Sequence, residues 1–273
     1  MTLSGIGLAG CGRMGAPMLA ALCDAGFDAR GFDIDLSGKD AKRITDDAVE
    51  FAKGLKVLLT VVRDIPQTES VLFGAQGLVG RAADLQQIVI CSTVSPNYIK
   101  DLRGRLPNPI RLVDAPMSGA SIAAKERRLS FMLGGKAEHL AQLRPLFAAM
   151  GTSFHPMGDL GAGMSAKVLN NLLAASHTVM TRLVLDWAEA AQLDKNKLLA
   201  LIHASSGQNW FASAFDRIEF ARDGYRADNS IGILAKDVLS AIDAAPAGAA
   251  TDLPELLVTL LNQMRPKDEG RAS

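Results

Sequence analysis

Apolar and polar positions follow two different rhythms along this chain. Up to about residue 160, short apolar runs alternate with segments of helical spacing. Apolar runs of this length, bounded by turn residues, read as buried strands. They predict strands over Leu3 to Ala9, Asp28 to Phe32, Leu55 to Val62, Ile88 to Cys91, Arg111 to Asp114, Leu129 to Leu133 and Thr152 to His155. Helical spacing runs from Ala16 to Ala25, where Gly26 stops it, and from Ala137 to Met150. A short helix is expected over Gln67 to Phe73, a loop over Gly74 to Gly80, and a further segment after Pro96. Strands alternating with helices make this half a doubly wound α/β domain. Past Gly163 no strand runs remain. Helical segments are expected at 163–192, 195–205, 208–222, 230–243 and 253–265, with a polar, frayed tail from Arg265 to Ser273. The change of rhythm places a domain boundary near residue 160.

Composition narrows the function. The 273 residues are 48% apolar and 21% charged, a globular balance with room for a large core. Twenty-nine basic residues meet twenty-nine acidic ones, so no nucleic-acid or membrane-surface partner is expected. Cys11, Cys23 and Cys91 have no metal-ligand spacing and suit reduced thiols, which points to the cytoplasm. The start passes straight into a strand pattern, so no secretory signal is expected, and no apolar stretch is long enough for a membrane span.

The first strand runs into Gly10-Cys11-Gly12-Arg13-Met14-Gly15 and then into a helix. A GxGxxG in that setting has a physical rationale. Gly10 makes the tight turn, Gly12 admits a pyrophosphate close to the backbone, and Gly15 lets helix and strand approach. The phosphates then meet the amides of a helix start. Asp33 ends the second strand, 23 positions after Gly10. It is either a carboxylate for the adenosine ribose hydroxyls or a plain turn residue. Ile34 and Asp35 follow it with no arginine, which favours NAD over NADP unless Asp35, Lys39 or Lys42 reshapes the pocket. Ser92 and Thr93 follow the fourth strand, as ligand contacts, as the cap of the next helix, or one of each. Ser118 and Gly119 form a small polar turn, able to hold a carboxylate or simply to turn the chain. His155 reads as a strand-end residue. Trp210 stays open between pocket and core, and Phe211 reads as core. Lys167 and Asn171 stand four residues apart on one face of the long helix that follows Gly163, so an ammonium and an amide can act together on one oxygen.

Five ordered blocks make the chain similar to the β-hydroxyacid dehydrogenases. They are Gly10 to Met18, Ser92 to Pro96, Asp114 to Gly119, Gly163 to Asn171, and Lys236-Asp237. The resemblance covers nearly the whole chain. It implies a Rossmann-like N-terminal domain (1–160) and an all-α C-terminal domain (161–273), joined by a long interdomain helix, with the active site between them. It implies Lys167 as the catalytic residue, Asn171 orienting the substrate, and Ser118 with Gly119 holding its carboxylate. Gly10, Gly12, Arg13, Met14, Gly15, Asp33, Val62, Thr93 and Lys236 would contact the cofactor, NAD rather than NADP. The implied substrate is a small 3-hydroxy acid, and the implied assembly a homodimer or homotetramer formed through the helical domain. No metal is implied.

Some positions depart from that pattern. Ala120, Ser121 and Ile122 stand where the glycine-rich run is normally longer, Arg127 and Arg128 where small residues are usual, and Asn229 where a Phe is common. The two arginines are either an anion contact or exposed loop charge. An imine reductase on the same scaffold is the second enzyme reading, although such relatives usually carry another residue where Lys167 stands. A tartronate semialdehyde reductase-like activity is a further variant, and a non-catalytic dinucleotide-binding homologue is the reading from a different class.

Overall fold

The computed structural model describes residues 3–38, 42–213, 215 and 232–264. Its contacts divide the chain into two compact units, Met1–Lys167 and Val168–Ser273.

The first unit is a sheet covered on both faces. Strands β1 (Ile6–Ala9), β2 (Ala29–Phe32), β3 (Ile44–Thr45), β4 (Val57–Thr60), β5 (Gln87–Ile90) and β6 (Arg111–Asp114) lie parallel in the order β3-β2-β1-β4-β5-β6. β7 (Met117–Ser118) and β6 both pair antiparallel with β8 (Leu129–Gly134), and β9 (Gly151–Gly158) pairs parallel with β8. Every residue of β1, β4 and β5 is buried, which is why these segments read as continuous apolar runs.

Helices α1 (Gly15–Asp24), α6 (Ala120–Lys125) and α7 (Ala137–Met150) cover one face. Met18, Leu22, Ala124, Leu146 and Phe147 from these helices share a core with Leu8, Leu59 and Phe131. Helices α2 (Ala48–Ala52), α3 (Ile65–Leu72), α4 (Leu78–Arg81) and α5 (Pro96–Arg105) cover the other. Phe51, Leu72, Leu78, Ile99 and Leu102 pack there on Leu58, Ile88 and Ile90.

The long helix α8 (Ala162–Ala190) starts in the first unit and continues into the second. The second unit adds α9 (Lys195–Ala204), α10 (Trp210–Ser213), α11 (Gly232–Asp243) and α12 (Asp252–Gln263). Its core joins Ala175 and Val179 of α8 to Ala235 and Val238 of α11 and Leu257 and Leu261 of α12. No strand lies among its described residues, in keeping with the loss of strand rhythm after Gly163.

Several short elements depart from the sequence expectation. β3 and β7 have two residues each, too few to show a period of two, so Ser118 sits at a strand end rather than in a turn. The expected loop before Gly80 contains α4, opened by Gly77 in a left-handed conformation (φ +52°). α2 and α6 were not anticipated. α2 starts where the Asp47 carboxylate accepts the Val49 and Glu50 amides. The expected helix at 208–222 is described only as α10, and most of its remainder, like the tail from Arg265, lies outside the described residues.

A methyl group added at Gly15 would sit 1.9 Å from the Gly10 carbonyl oxygen, so α1 can approach β1 only without a side chain there. Gly15→Ala is therefore expected to destabilise the fold by about 1–3 kcal/mol. Gly104, inside α5, has nothing within 4 Å of such a methyl, and Gly104→Ala is expected to stabilise by about 0.4–1 kcal/mol. Urea unfolding of both variants checks the pair. Equal shifts, or shifts of the same sign, would contradict it.

Candidate active site

The carboxyl ends of four adjacent parallel strands bring four of the sequence-predicted cofactor residues to one edge. Gly10 follows β1, Asp33 follows β2, Val62 lies just past β4 and Thr93 just past β5. Gly10 has φ +96°, and a methyl there would meet the Val61 carbonyl oxygen at 2.6 Å and Val62 Cγ1 at 2.9 Å. Only glycine serves that position. A methyl built on Gly12 meets nothing within 4 Å. Nothing in the packing of the chain asks for glycine there.

The start of α1 points the same way. Each helix that directly follows β3, β4 or β5 carries its own side-chain cap: Asp47 for α2, Asp64 for α3 and Ser95 for α5. α1, after β1, has Met14 at its cap position and no side-chain cap, with Arg13 exposed beside it. An uncapped helix start beside an open glycine is an anion site. The residues present fit a dinucleotide pyrophosphate.

Ser95, rather than Ser92 or Thr93, caps α5, accepting the Asn97 amide at 3.1 Å. Ser92 instead ties two strand ends together. Its Oγ accepts the Val62 amide at 2.9 Å and donates to the Thr60 carbonyl at 3.3 Å. Asp33 Oδ1 accepts the Asp35 amide at 3.0 Å, a local contact just past β2.

A second group in the first unit surrounds the Asp114 carboxylate, to which the sequence reading assigned no role. This side chain is wholly buried at the end of β6. Its Oδ1 accepts the Gly161 amide at 2.7 Å and its Oδ2 the Met164 amide at 2.6 Å. Burial pushes the carboxyl above its ordinary value, against the opposing pull of these amides. Four residues on, Ser118 pairs with Ser130 of β8, and Gly119 turns the chain at φ +134°. Ala120 takes φ +53°, a left-handed conformation that glycine would hold without strain. Lys167, on α8, is 8% exposed, deep burial for an ammonium.

In the second unit Asn171 and Lys236 meet on one carboxylate, Asp237, which the sequence reading noted only as half of a dipeptide. The Asn171 amide nitrogen donates to Asp237 Oδ2 at 2.6 Å, and Lys236 Nζ lies 2.7 Å from Asp237 Oδ1. Asp237 is 3% exposed, so its charge is matched where it is buried. The amide of Asn171 is thereby fixed with its nitrogen toward Asp237.

The remaining candidates resolve simply. Phe211 is buried and Trp210 largely exposed. His155 lies in β9 with its Nε2 3.1 Å from Ser130 Oγ. Arg127 and Arg128 are exposed and pair with Asp24 and Glu126. Lys39 and Asn229 lie outside the described residues.

Residues 5–159 match the family model for the NAD binding domain of 6-phosphogluconate dehydrogenase. Residues 161–272 match that for the NAD-binding of NADP-dependent 3-hydroxyisobutyrate dehydrogenase. The chain belongs to the β-hydroxyacid dehydrogenase family. As a β-hydroxyacid dehydrogenase it is an oxidoreductase with a nicotinamide dinucleotide cofactor. The NAD-dependent L-serine dehydrogenase of Pseudomonas aeruginosa is 31% identical over 262 residues, spanning 90% of this chain and 87% of that protein. The 3-hydroxyisobutyrate dehydrogenase of the same organism is 29% identical, spanning 95% and 92%. A solved structure of Mycobacterium tuberculosis 3-hydroxyisobutyrate dehydrogenase with L-serine superposes with a TM-score of 0.79 at 25% identity, covering 96% of this chain and 93% of that one.

For this β-hydroxyacid dehydrogenase, Gly12→Ala is expected to leave thermal unfolding within about 2 °C of wild type, because the new methyl touches nothing in the protein. The same methyl is expected to weaken NADH binding at least tenfold by standing in the pyrophosphate's space. Fluorescence titration with NADH checks this, and unchanged affinity would remove Gly12 from the cofactor site.

Proposed function

We propose that the enzyme interconverts a small 3-hydroxy acid and its carbonyl product, with NAD as the preferred cofactor and Lys167 as general acid–base. The observation that carries this reading is a buried ammonium one helical turn from an amide whose orientation a carboxylate fixes. The named substrates of the two Pseudomonas relatives, L-serine and 3-hydroxyisobutyrate, share a carboxylate, a substituted α-carbon and a primary alcohol. That shared skeleton defines the substrate class proposed here.

The nicotinamide, when bound, supplies the hydride acceptor or donor. The chain's own residues do the rest. Ser118 and the Gly119 amide hold the substrate carboxylate, which leaves the alcohol toward Lys167 and Asn171. In its neutral amine form Lys167 Nζ accepts the hydroxyl proton during oxidation, and in its ammonium form it gives that proton to the developing alkoxide during reduction. Asn171 holds the same oxygen in line. Asp33 accepts hydrogen bonds from the adenosine ribose, and its charge disfavours a 2′-phosphate there.

Lys167→Ala is expected to lower kcat by about 10²–10⁴-fold with NADH affinity retained. The measurement is NADH absorbance with 3-hydroxyisobutyrate, L-serine, D-glycerate, L-threonate and 4-hydroxybutyrate, each with NAD and NADP. Near wild-type turnover by the variant would refute the role of Lys167. A kcat/KM with NADP equal to that with NAD would refute the role of Asp33. Cofactor binding without turnover of any of the five would favour the non-catalytic reading.

The assembly we infer is a homodimer or homotetramer in the cytoplasm. Leu169, Leu173, Met180 and Trp187 recur along α8 at heptad-like spacing and are each more than half exposed. An apolar stripe of this length is a protein contact surface. All three cysteines are free thiols, as suits a reducing compartment. No helix among the described residues is long and apolar enough to cross a membrane. Sedimentation equilibrium is expected to give a multiple of the 28.9 kDa chain mass, and Leu173→Glu with Trp187→Glu to reduce it. A monomeric wild type would exclude the assembly.

A further inference from the structure

We infer that Asp114 is a positioning residue for the reaction: one buried carboxylate sets the substrate-holding turn and the start of the lysine-bearing helix in fixed relation. The inference rests on the roles proposed for Lys167, Ser118 and Gly119. All the residues involved belong to the first unit.

A helix leaves its first amides without internal partners. At the start of α8 two of them, from Gly161 and Met164, donate to the two oxygens of Asp114, which lies 47 and 50 positions earlier in the chain. Asp114 thus serves as a cap supplied by a strand. Both oxygens are engaged, so the helix start is held against sliding and against rotation. Lys167 stands one turn beyond Met164, and a rigid helix carries the fixed position of Met164 to the ammonium.

The same side chain belongs to the last residue of β6. Ala115 and Pro116 follow it, then β7 with Ser118, then Gly119. Asp114 pairs with Gly134 of β8, and Ser118 with Ser130 of the same strand. No free linker separates the carboxylate from the turn that holds the substrate.

The packing around Asp114 is built for it. A methyl on Gly134 would stand 2.3 Å from Asp114 Oδ1. A methyl on Gly163 would stand 3.0 Å from Oδ2 and 2.5 Å from the Met132 carbonyl oxygen. Two glycines, one on β8 and one on α8, leave space for one carboxylate and for the close approach of two backbones. A longer acid does not fit that space.

The test compares Asp114→Asn, Asp114→Glu and Lys167→Ala at a temperature well below unfolding. Asn keeps the shape and one acceptor but turns an amide nitrogen toward one of the two backbone donors. Asp114→Asn is expected to lower kcat about tenfold to a hundredfold while NADH affinity stays within threefold of wild type, because the glycine turn after β1 is untouched. Asp114→Glu is expected to be worse than Asn. Wild-type kcat in Asp114→Asn, with only the melting temperature lowered, would show a purely structural residue and overturn the inference. Parallel collapse of kcat and NADH affinity would overturn it too. Should Asp114→Asn not fold, Gly163→Ala displaces the helix start without changing charge and is expected to give the same loss confined to kcat, with unchanged kcat overturning the inference. Wild-type turnover in Lys167→Ala would sink the assignment of that lysine instead, whatever Asp114 does.

Discussion

Backbone amides at helix starts are the constraint on which this structure turns. A parallel sheet delivers one helix start after another to its carboxyl edge, and each start carries donors that its own helix cannot satisfy. Side chains close some of them here. Asp47, Asp64 and Ser95 cap from within their own segments, and Asp114 reaches across from a strand. α1 is left without such a cap, next to the glycine whose missing side chain nothing in the protein requires. A phosphate recognised by amides and dipole needs both conditions at one place. The start of α1 meets both conditions.

Glycine and carboxylate divide the remaining labour. Gly10 and Gly15 let α1 and β1 approach closely, with the Gly10 carbonyl as the contact that excludes any side chain at Gly15. Gly134 and Gly163 do the same around Asp114. Carboxylates then hold what close approach brings together. Asp114 takes two amides in the first unit, and Asp237 takes an amide side chain and an ammonium in the second. A buried carboxylate is costly unless its oxygens find donors, and Asp114, with an amide on each oxygen, tolerates little displacement.

The sheet was legible in the sequence because β1, β4, β5 and β8 are apolar runs bounded by turn residues. The glycine turn was legible because its spacing carries a mechanism. α8 was legible because nothing from Gly163 onward breaks a helix. The short elements were not, since two residues of β3 or β7 carry no period. Capping of α5 was one alternative for Ser92 and Thr93, whereas Ser95, directly before Pro96 at the first helical position, makes the cap and was the local signal for it. Asp114 and Asp237 were quoted within their motifs and given no task. Apart from Lys236 beside Asp237, the partners named for them lie 47, 50 and 66 positions away, and no local pattern encodes a pairing at such separation. What periodicity and spacing reveal is local; what a buried carboxylate does depends on which distant donors the fold brings to it.

The position of Lys167 makes physical sense only with that distant pairing included. A cation in the early turns of a helix faces the positive end of the macrodipole, a cost of about 0.3–1 kcal/mol, and burial removes the water that would otherwise screen it. Helices place lysine more readily in their last turn for this reason. At the start of α8 the exposed amides that make up the positive end are already engaged by Asp114. The oxygens of that side chain take up those amides one turn before the ammonium. A lysine can then be held, buried and oriented, at a helix start where the open turn after β1 would hold an anion instead. The two helix starts are alike in backbone. They differ because one has been closed by a carboxylate and the other carries no side-chain cap.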